Sequence, residues 1–550
     1  MTATTAEGPA ATRGTGPTGA FVGTATLVRF QVRRDRVKLP GWVAGFGLFI
    51  VYLAAALPQV AETEADLAST TALFRDPVGR LLTGPGYGFD APTYERLVAG
   101  GYSLYLLILA ALMSILLVVR HSRLEEQTGR AELVRANVVG RHALLSATLV
   151  VAVVTNLAVA AVVALAMITV GGWGVTGSLL TAASVAAVGL AFAGVAAVTV
   201  QLSRYPRAAS GTAGAALGLA FVLRAGGDMA AEGGGALSWL SPLGWGQQTA
   251  PFVLDRWWPL VLPLALAVLT TGVGFVLSNR RDLGASLVAD RPGRAHAAPS
   301  LGTPLGLAWR LQRGNATGWT LGLVVGGLAF GAYADALIGA ADQLPDVFTE
   351  LFTGDDLVAG YLAYMATFMA YLAGAYAVSV ARGWRNEETA GRAEPVLATP
   401  IGRLRWFGAN VAVAAVVVVV ALGLTGAATG VGAALVTGTW SYVGEMTVAH
   451  LNQVPAVWLV LGVGVALFGA LPRAVGAAWV LVGFGLFVGT FGDLLQLPAG
   501  VLALSPFAHP AELPIEPFAA TPLLVLTGLA VAATAFGLAA YGRRAITSAG

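Results

Sequence analysis

Residues 125–141 read EEQTGRAELVRANVVGR, and residues 387–403 read EETAGRAEPVLATPIGR. Ten of the seventeen positions are identical at an offset of 262. Each stretch lies between two apolar segments, and so long a match at one offset indicates an internal duplication. Further matches keep nearly the same offset: the sequence PRA occurs at 206–208 and again at 472–474. The sequence therefore predicts two copies of one unit.

The apolar segments around these stretches are long enough to cross a membrane. The chain has 550 residues, is 56% hydrophobic, has a mean hydropathy of +0.74 and is only 11% charged, against roughly 25% charged residues in soluble domains. A membrane-spanning helix needs about 20 apolar residues. Twelve segments meet this requirement, running roughly over 41–58, 98–119, 143–171, 177–201, 208–224, 257–278, 317–341, 357–381, 407–437, 454–471, 475–491 and 521–541. We predict an all-α polytopic membrane protein with about 12 transmembrane helices, arranged as two parallel six-helix repeats with pseudo-two-fold symmetry.

The repeats define the predicted domain organisation. Residues 1–18 are rich in Thr, Ala, Gly and Pro without hydrophobic periodicity, which predicts a disordered tail. The first six-helix repeat covers 19–278 and starts with an amphipathic helix that we expect to lie on the inner leaflet. Residues 279–304 form a cytoplasmic linker, and the second six-helix repeat covers 305–550.

Basic residues separate between the two sides of the predicted spans. If the N-terminus is cytoplasmic, 27 of the 32 Lys and Arg residues lie inside, as the positive-inside rule favours. Because the number of spans is even, both termini are then cytoplasmic. We therefore expect a multi-pass protein of the bacterial plasma (inner) membrane.

The composition excludes several kinds of site. The chain has no Cys, which excludes disulfides, thiol nucleophiles and thiolate zinc sites. A Walker A motif needs a Lys followed by Ser or Thr, but the single lysine, Lys38, precedes Leu39. The five His residues show no paired metal-ligand spacing. We expect no catalytic, cofactor or metal site on this chain, and no nucleic-acid partner.

The duplicated cytoplasmic loop is the strongest functional signal. A simple linker needs no particular side chains, yet the same charged residues occur in both copies. Glu126 with Arg130, and Glu388 with Arg392, have the i,i+4 spacing of helical ion pairs. Two matched helices at one membrane face would suit a two-fold symmetric partner. A solvated linker between two spans is the alternative reading.

The pattern EE-x-x-GR-x-E…GR after the second span of each half resembles the permease subunits of ABC exporters. It is most similar to the actinobacterial exporters of polyketide antibiotics, including tetronasin-type efflux permeases. The resemblance covers nearly the whole chain and implies that each loop is a coupling helix that docks on a separate ATPase subunit. The coupling positions that it implies are Glu125, Glu126, Gly129, Arg130, Glu132, Glu387, Glu388, Gly391, Arg392 and Glu394.

The resemblance also implies a function. The chain would be the transmembrane permease subunit of an ATP-driven exporter that moves hydrophobic or amphipathic compounds, such as antibiotics, drugs or lipid-like molecules, out of the cell. It would not itself be an enzyme, since ATP-Mg would bind to the partner. The implied partners are two copies of an ATP-binding ABC subunit, membrane lipid and a small hydrophobic substrate. Pro395 and Pro400 should shorten the second coupling helix relative to the first.

Two other functions fit parts of the sequence. A secondary transporter of the major-facilitator type also has two parallel six-span halves, but its loop after span two typically carries an Asp-Arg pair that is absent here. A membrane enzyme could use acidic residues of the predicted outer loops, such as Asp355 and Asp356. The matched motifs lie on the cytoplasmic side, which favours the exporter over this enzyme.

Overall fold

Helices make up most of the chain that the structure describes. The computed structural model describes residues 17–282, 284–288, 295–334, 357–492 and 497–546. The chain is 79% helical, and these ranges contain no strand. The structure therefore confirms the all-α polytopic fold. The chain divides into unit 1, residues 1–291, and unit 2, residues 292–550, and this division falls within the predicted linker.

The described part of unit 1 contains thirteen α-helices. They are α1 (Thr24–Arg34), α2 (Lys38–Val60), α3 (Glu64–Arg75), α4 (Pro77–Thr83), α5 (Tyr94–Leu97), α6 (Ser103–His121), α7 (Arg123–Gln127), α8 (Arg130–Arg135), α9 (Ala143–Thr169), α10 (Val175–Leu202), α11 (Pro206–Ala230), α12 (Pro242–Gln247) and α13 (Val261–Ser278). A π-helical turn, Val98–Tyr102, joins α5 to α6.

The described part of unit 2 contains a similar succession of helices. They are α14 (Pro304–Ala332), α15 (Leu357–Thr389), α16 (Ala393–Leu397), α17 (Arg403–Thr437), α18 (Ser441–Asn452), α19 (Val454–Ala470), α20 (Ala478–Phe491), α21 (Ala499–Leu502) and α22 (Ala520–Arg543). The long α14 includes both the predicted amphipathic segment and the beginning of the first span.

Eleven helical segments in the described ranges are long and apolar enough to cross a membrane. They coincide with eleven of the twelve predicted spans, and most of their ends differ by a few residues. The remaining predicted span, 317–341, begins within α14. Its last residues, 335–341, lie outside the described residues, as do Asp355 and Asp356.

The spans of each unit differ in how deeply they are buried. In unit 1, α6 and α10 form the centre of the core, where Leu107 and Phe192 are fully enclosed. In unit 2, α15 and α19 form the centre of the core, where Phe468 is fully enclosed. The sixth spans, α13 and α22, expose most of their length. An apolar exposed surface of this kind is what a helix facing lipid or another transmembrane helix requires.

The fourth and sixth spans approach closely through small residues. Gly274 on α13 packs against Ala197 on α10, and a Cβ atom added to Gly274 would lie 3.1 Å from Cβ of Ala197. In unit 2 the approach is tighter, since a Cβ atom on Gly469 would lie 2.0 Å from the carbonyl oxygen of Gly537. Such small residues let transmembrane helices pack backbone against backbone, where dispersion contacts supply the stabilisation.

A short helix lies at the end of the segment predicted as a tail. Residues 1–16 of the predicted tail lie outside the described residues, but a 3₁₀ helix, Pro17–Phe21, includes the last two. The carbonyl oxygens of Ala20 and Val22 accept hydrogen bonds of 2.9 Å from the N–H groups of His142 and Gly140, respectively. Residues 20 and 22 are therefore held against the loop that precedes α9.

Candidate functional site

Both duplicated loops bend sharply at a matched glycine. Gly129 (φ +73°) separates α7 from α8, and Gly391 (φ +68°) separates α15 from α16. These angles lie in the left-handed region that glycine adopts without steric cost. The i,i+4 spacing predicts an ion pair across one helical turn in each loop, but the left-handed glycine interrupts the helix between the two residues. Consequently Glu126 does not pair with Arg130, and Glu388 does not pair with Arg392.

Glu126 is instead buried in a network of arginines. Its carboxylate accepts hydrogen bonds of 2.6 and 2.9 Å from Arg281, which follows the sixth span of unit 1. Arg123 on α7 donates a further bond of 2.7 Å, and the backbone N–H of Gly284 donates one of 3.4 Å. The loop after span two is thereby attached to the end of span six.

Glu388 makes the equivalent contact in unit 2. Its side chain is 0% exposed, and it accepts two hydrogen bonds of 2.5 and 2.6 Å from Arg544, which follows α22. The guanidinium of Arg544 also lies 4.9 Å above the ring of Tyr541 and 5.2 Å above that of Phe468. Two parallel N–H···O bonds fix both the distance and the relative orientation of the guanidinium and the carboxylate. The pairs Glu126–Arg281 and Glu388–Arg544 are called the loop clasps below.

Sequence reasoning missed both arginines of the loop clasps, although a signal was present. Arg281 and Arg544 are each the second of two consecutive arginines, and each of these dipeptides lies at the end of a sixth span. Their separation of 263 nearly equals the offset of 262 between the two glutamates. Extending the repeat alignment beyond the last span would have placed them at matching positions.

The other glutamate of each pair is buried in the first loop and half-buried in the second. Glu125 pairs with Arg34 of α1 and stands 3.8 Å from Arg130. Glu387 accepts hydrogen bonds of 2.8 and 2.9 Å from Arg392. Hydrogen bonds from that guanidinium to Glu387 raise the pKa of Arg392. These contacts span the glycine turn and hold its two sides together.

The outward faces of the loops carry the remaining predicted positions. Arg130 and Glu132, which follow Gly129, are exposed, and so are Arg392 and Glu394, which follow Gly391. Between them, the matched alanines Ala131 and Ala393 are buried and anchor the short helices α8 and α16. Of the ten predicted positions, three glutamates thus have buried side chains, four residues are exposed, and Glu387 and the two glycines are half-buried.

The two exposed faces differ in chemistry. The first carries two apolar side chains, Leu133 (71% exposed) and Val138 (90% exposed). The second has Pro395 and Pro400 at these positions, and both are exposed. Helix α16 has five residues and α8 has six, so the two short helices are nearly equal in length although the second contains Pro395. A partner would therefore meet two similar but unequal surfaces.

The amphipathic segment of each unit is attached to the third span through a glutamine. Gln31 on α1 donates a hydrogen bond of 3.2 Å to Thr148 on α9. Gln312 on α14 donates bonds of 3.0 Å to both the backbone and side-chain oxygens of Asn410 on α17. The positions Thr148 and Asn410 are related by the repeat offset of 262. Both units therefore fix this segment in the same way, and sequence reasoning did not single out these residues.

Comparisons with known proteins agree with this architecture. A family model described as "Multidrug efflux system permease Rv1217c, C-terminal domain" matches residues 25–277 and 301–542. The multidrug efflux system permease protein Rv1217c of Mycobacterium tuberculosis (strain ATCC 25618 / H37Rv) is 38% identical over 535 residues, covering 95% of each chain. The chain belongs to the Rv1217c family of multidrug efflux system permeases.

The Rv1217c family match includes both duplicated loops and stops just before Arg281 and Arg544. Membership of this permease family, together with eleven candidate spans in the described ranges, identifies a multi-pass membrane protein with a transport role. In those same ranges no group of three metal-ligating side chains lies together. In this Rv1217c-family permease, the duplicated loops and their clasps are the most distinctive polar features.

Proposed function

We propose that the chain is the transmembrane subunit of an ATP-driven exporter of the polyketide-antibiotic, tetronasin-like type. It would move hydrophobic or amphipathic compounds out of the cell and would be driven by two copies of a separate ATPase subunit. ATP-Mg would bind to that partner, and both termini of the permease would be cytoplasmic. The relative from M. tuberculosis is described as part of a multidrug efflux system, which supports export of varied apolar compounds.

The observation that carries the proposal is the occurrence of a loop clasp in each unit. A partner that pushed or pulled on α8 or α16 would act on a loop whose buried glutamate is attached to the end of a sixth span. Because packed helices move as rigid elements, force on the loop would reach that span directly. A linker without a transmitting role would not need a buried, doubly bonded carboxylate at the same place in both units.

The exposed faces supply the docking chemistry. Each loop offers two exposed charges to a partner, from Arg130 and Glu132 on the first and from Arg392 and Glu394 on the second. Of the described ion pairs, a partner would disturb only Arg130–Glu125 and Arg392–Glu387 by binding these charges. Leu133 and Val138 add an apolar contact on the first loop alone. Since the chain carries no Walker A lysine, the energy for transport would come from the docked subunit.

Copurification from the native host tests docking. The tagged chain should retain an ATPase subunit with a P-loop at two copies per permease, and the variant Glu132→Arg/Glu394→Arg should lose it. Arg310→Glu is the matched control, because Arg310 is exposed at the predicted cytoplasmic side but lies on α14, away from both loops. A clean permease with no ATPase in the wild type would favour the major-facilitator alternative.

A second variant separates docking of the ATPase from the transmission of force from the loop to the sixth span. Glu126→Gln/Glu388→Gln removes the clasp carboxylates but leaves the exposed faces in place. We expect this variant to retain the ATPase and to hydrolyse ATP, while efflux of a fluorescent apolar dye from reconstituted vesicles falls at least tenfold. Unchanged efflux in a correctly inserted clasp variant would contradict the proposed transmission route.

A further inference from the structure

The sixth span, to which each loop clasp is attached, is a peripheral helix of its unit. Both sixth spans, α13 and α22, expose most of their length, whereas the fourth-span helices α10 and α19 lie in the cores. Packed helices move as rigid elements. A loop that acts on the fourth span as well would therefore move the core of its unit. Each unit contains a contact between the clasp and the end of this core helix.

In unit 1 the contact is made by Arg123, which is fully buried at the start of α7. Its guanidinium donates a hydrogen bond of 2.7 Å to Glu126 of the clasp and one of 2.8 Å to the carbonyl oxygen of Ala285 in the linker. It also donates to the carbonyl oxygen of Val200, in the last turn of α10. A guanidinium carries five N–H donors in a fixed planar arrangement, so one side chain joins the loop, the fourth span and the linker.

The beginning of the linker contacts the same end of α10. The N–H of Leu287 donates a hydrogen bond of 3.2 Å to the carbonyl oxygen of Gln201, and the side chain of Gln201 accepts one of 2.5 Å from Arg281 of the clasp. The last four carbonyl groups of a helix have no partner within the helix, and a cation is favoured at this negative end of the helix dipole. The loop, the linker and α10 therefore form one hydrogen-bonded cluster at the predicted cytoplasmic side.

In unit 2 the contact with the fourth span is aromatic. The guanidinium of Arg544 lies 5.2 Å above the ring of Phe468, which is fully enclosed near the end of α19. This ring packs in turn against Phe407 of α17 and Tyr541 of α22, at centroid distances of 5.0 and 5.5 Å. A cation is attracted to an aromatic face more strongly when both are removed from water. The clasp of unit 2 thus reaches its fourth span through Phe468.

We propose that Arg123 and Phe468 are positioning residues that transmit the movement of each duplicated loop to the fourth span of its unit. Movement of the first loop would reach α10 through the hydrogen bonds of Arg123. Movement of the second would reach α19 through the contact between Arg544 and Phe468. The inference rests on the proposed function, since an ATPase has to move the loops. It adds that hydrogen bonds in unit 1 and aromatic packing in unit 2 fill the same role.

Efflux and ATP hydrolysis, measured together on the complete complex, test the transmission. In vesicles that contain the permease and its ATPase, we expect Arg123→Gln and Phe468→Leu to hydrolyse ATP as the wild type does. The amount of apolar dye exported per ATP should fall at least fivefold in both. Arg123→Lys should fall equally, because lysine keeps the charge beside Glu126 but not the planar arrangement of donors. Recovery of export in Arg123→Lys would overturn the role of Arg123.

Each variant has a matched control in the same chain. Arg385 lies at the repeat offset of 262 from Arg123 and is only half-buried, so Arg385→Gln should export as the wild type does. Phe407 is as deeply buried as Phe468 and packs against it, but the guanidinium of Arg544 lies over Phe468. Phe407→Leu should therefore lower the Tm about as much as Phe468→Leu without lowering export per ATP. Equal loss of export in both leucine variants would overturn the role of Phe468.

Hydrogen exchange of the purified permease alone tests the cluster of unit 1 without an ATPase. The amide of Leu287 should exchange at least tenfold faster in Arg123→Gln than in the wild type, because loss of the bond to Ala285 releases the linker from α10. Unchanged exchange along α9 shows that the variant is folded. Exchange of Leu287 at the wild-type rate would overturn the cluster.

The failure of this inference and the failure of the proposed function give different results. A wild-type permease that retains no ATPase would contradict the proposed function and, with it, the transmission to the fourth span. A wild-type ratio of export to ATP hydrolysis in Arg123→Gln and Phe468→Leu, within an active complex, would contradict this inference alone.

Discussion

The two glutamates of the second duplicated loop differ in environment, although they are adjacent in sequence. Glu388 is fully buried and bonded to Arg544, whereas Glu387 pairs with the exposed Arg392. A buried carboxylate that is removed leaves its partner charge uncompensated, which costs several kcal/mol. An exposed pair contributes about 0–1 kcal/mol. Burial, rather than residue type, therefore decides which glutamate matters for stability.

This difference predicts unequal effects of the same substitution. We expect Glu388→Gln to lower the free energy of unfolding by about 3 kcal/mol or more, and Glu387→Gln to lower it by less than about 1 kcal/mol. Thermal unfolding of both variants in one detergent measures this. Equal Tm values for the two variants would show that the clasp in unit 2 does not stabilise the fold.

Asp35 is a second residue whose surroundings determine its behaviour. Burial alone would raise the pKa of Asp35, but hydrogen bonds from Arg120 and the charges of His121 and Arg120 outweigh burial and hold the pKa below its usual value. The stabilising contribution of a carboxylate with a lowered pKa is complete above its unfolded value, about 3.9, and is lost as the pH falls through the native value.

We accordingly expect the stability difference between the wild type and Asp35→Asn to depend on pH. The variant should have the lower Tm near neutral pH, and the difference should shrink below about pH 4 as Asp35 becomes protonated. Thermal unfolding of both proteins over an acidic pH series provides the measurement. A difference that persists unchanged in acid would indicate that Asp35 acts by shape instead of by charge.

At the scale of helices, close packing between α19 and α22 depends on positions that accept no side chain. A Cβ atom on Gly537 would lie 2.5 Å from the carbonyl oxygen of Val465, whereas Gly528 on the same helix has no such neighbour within 4 Å. Both are helical glycines with the same intrinsic propensity. Only the contact with α19 distinguishes them.

A matched pair of alanine substitutions separates packing from propensity. Gly537→Ala should destabilise the protein by about 1–3 kcal/mol, because the added methyl group forces the two backbones apart. Gly528→Ala should be neutral or stabilising, since alanine favours the helix by up to about 1 kcal/mol. Chemical or thermal unfolding of both purified variants checks the sign, and destabilisation by Gly528→Ala of similar size would refute the packing argument.

At the scale of the whole molecule, the distribution of charge predicts the orientation of the chain. In the predicted topology, basic residues concentrate on the cytoplasmic side, and the segment around Ser300 carries several of them. The same prediction places α3, which begins at Glu64 and is capped by Thr63, on the outer side. The absence of Cys from the sequence makes single introduced cysteines specific reporters of sidedness.

Labelling with a membrane-impermeant maleimide tests the orientation. Glu64→Cys should react in intact cells, whereas Ser300→Cys should react only after the membrane is permeabilised. Both positions are exposed, so a difference in reactivity reports the side of the membrane and not burial. Reaction of Ser300→Cys in intact cells would reverse the predicted topology and place the duplicated loops outside.

Much of the fold could be predicted from the sequence because its signals are local. An apolar run of about 20 residues can satisfy its backbone in a membrane only as a helix, so the segments 98–119 and 177–201 identified α6 and α10 without tertiary information. The loop pairs were less predictable. The i,i+4 spacing of Glu126 and Arg130 favoured a helical ion pair, but the left-handed Gly129 interrupts the helix between them.

The sequence by itself determined that the chain crosses a membrane many times, that its unit is duplicated and that its loops carry matched charges. Composition and repetition are properties of the linear chain. Only the tertiary structure decided that Glu126 and Glu388 face inward to Arg281 and Arg544. These contacts join residues that are far apart in sequence, and a carboxylate's partner depends on which helix ends meet when the spans pack.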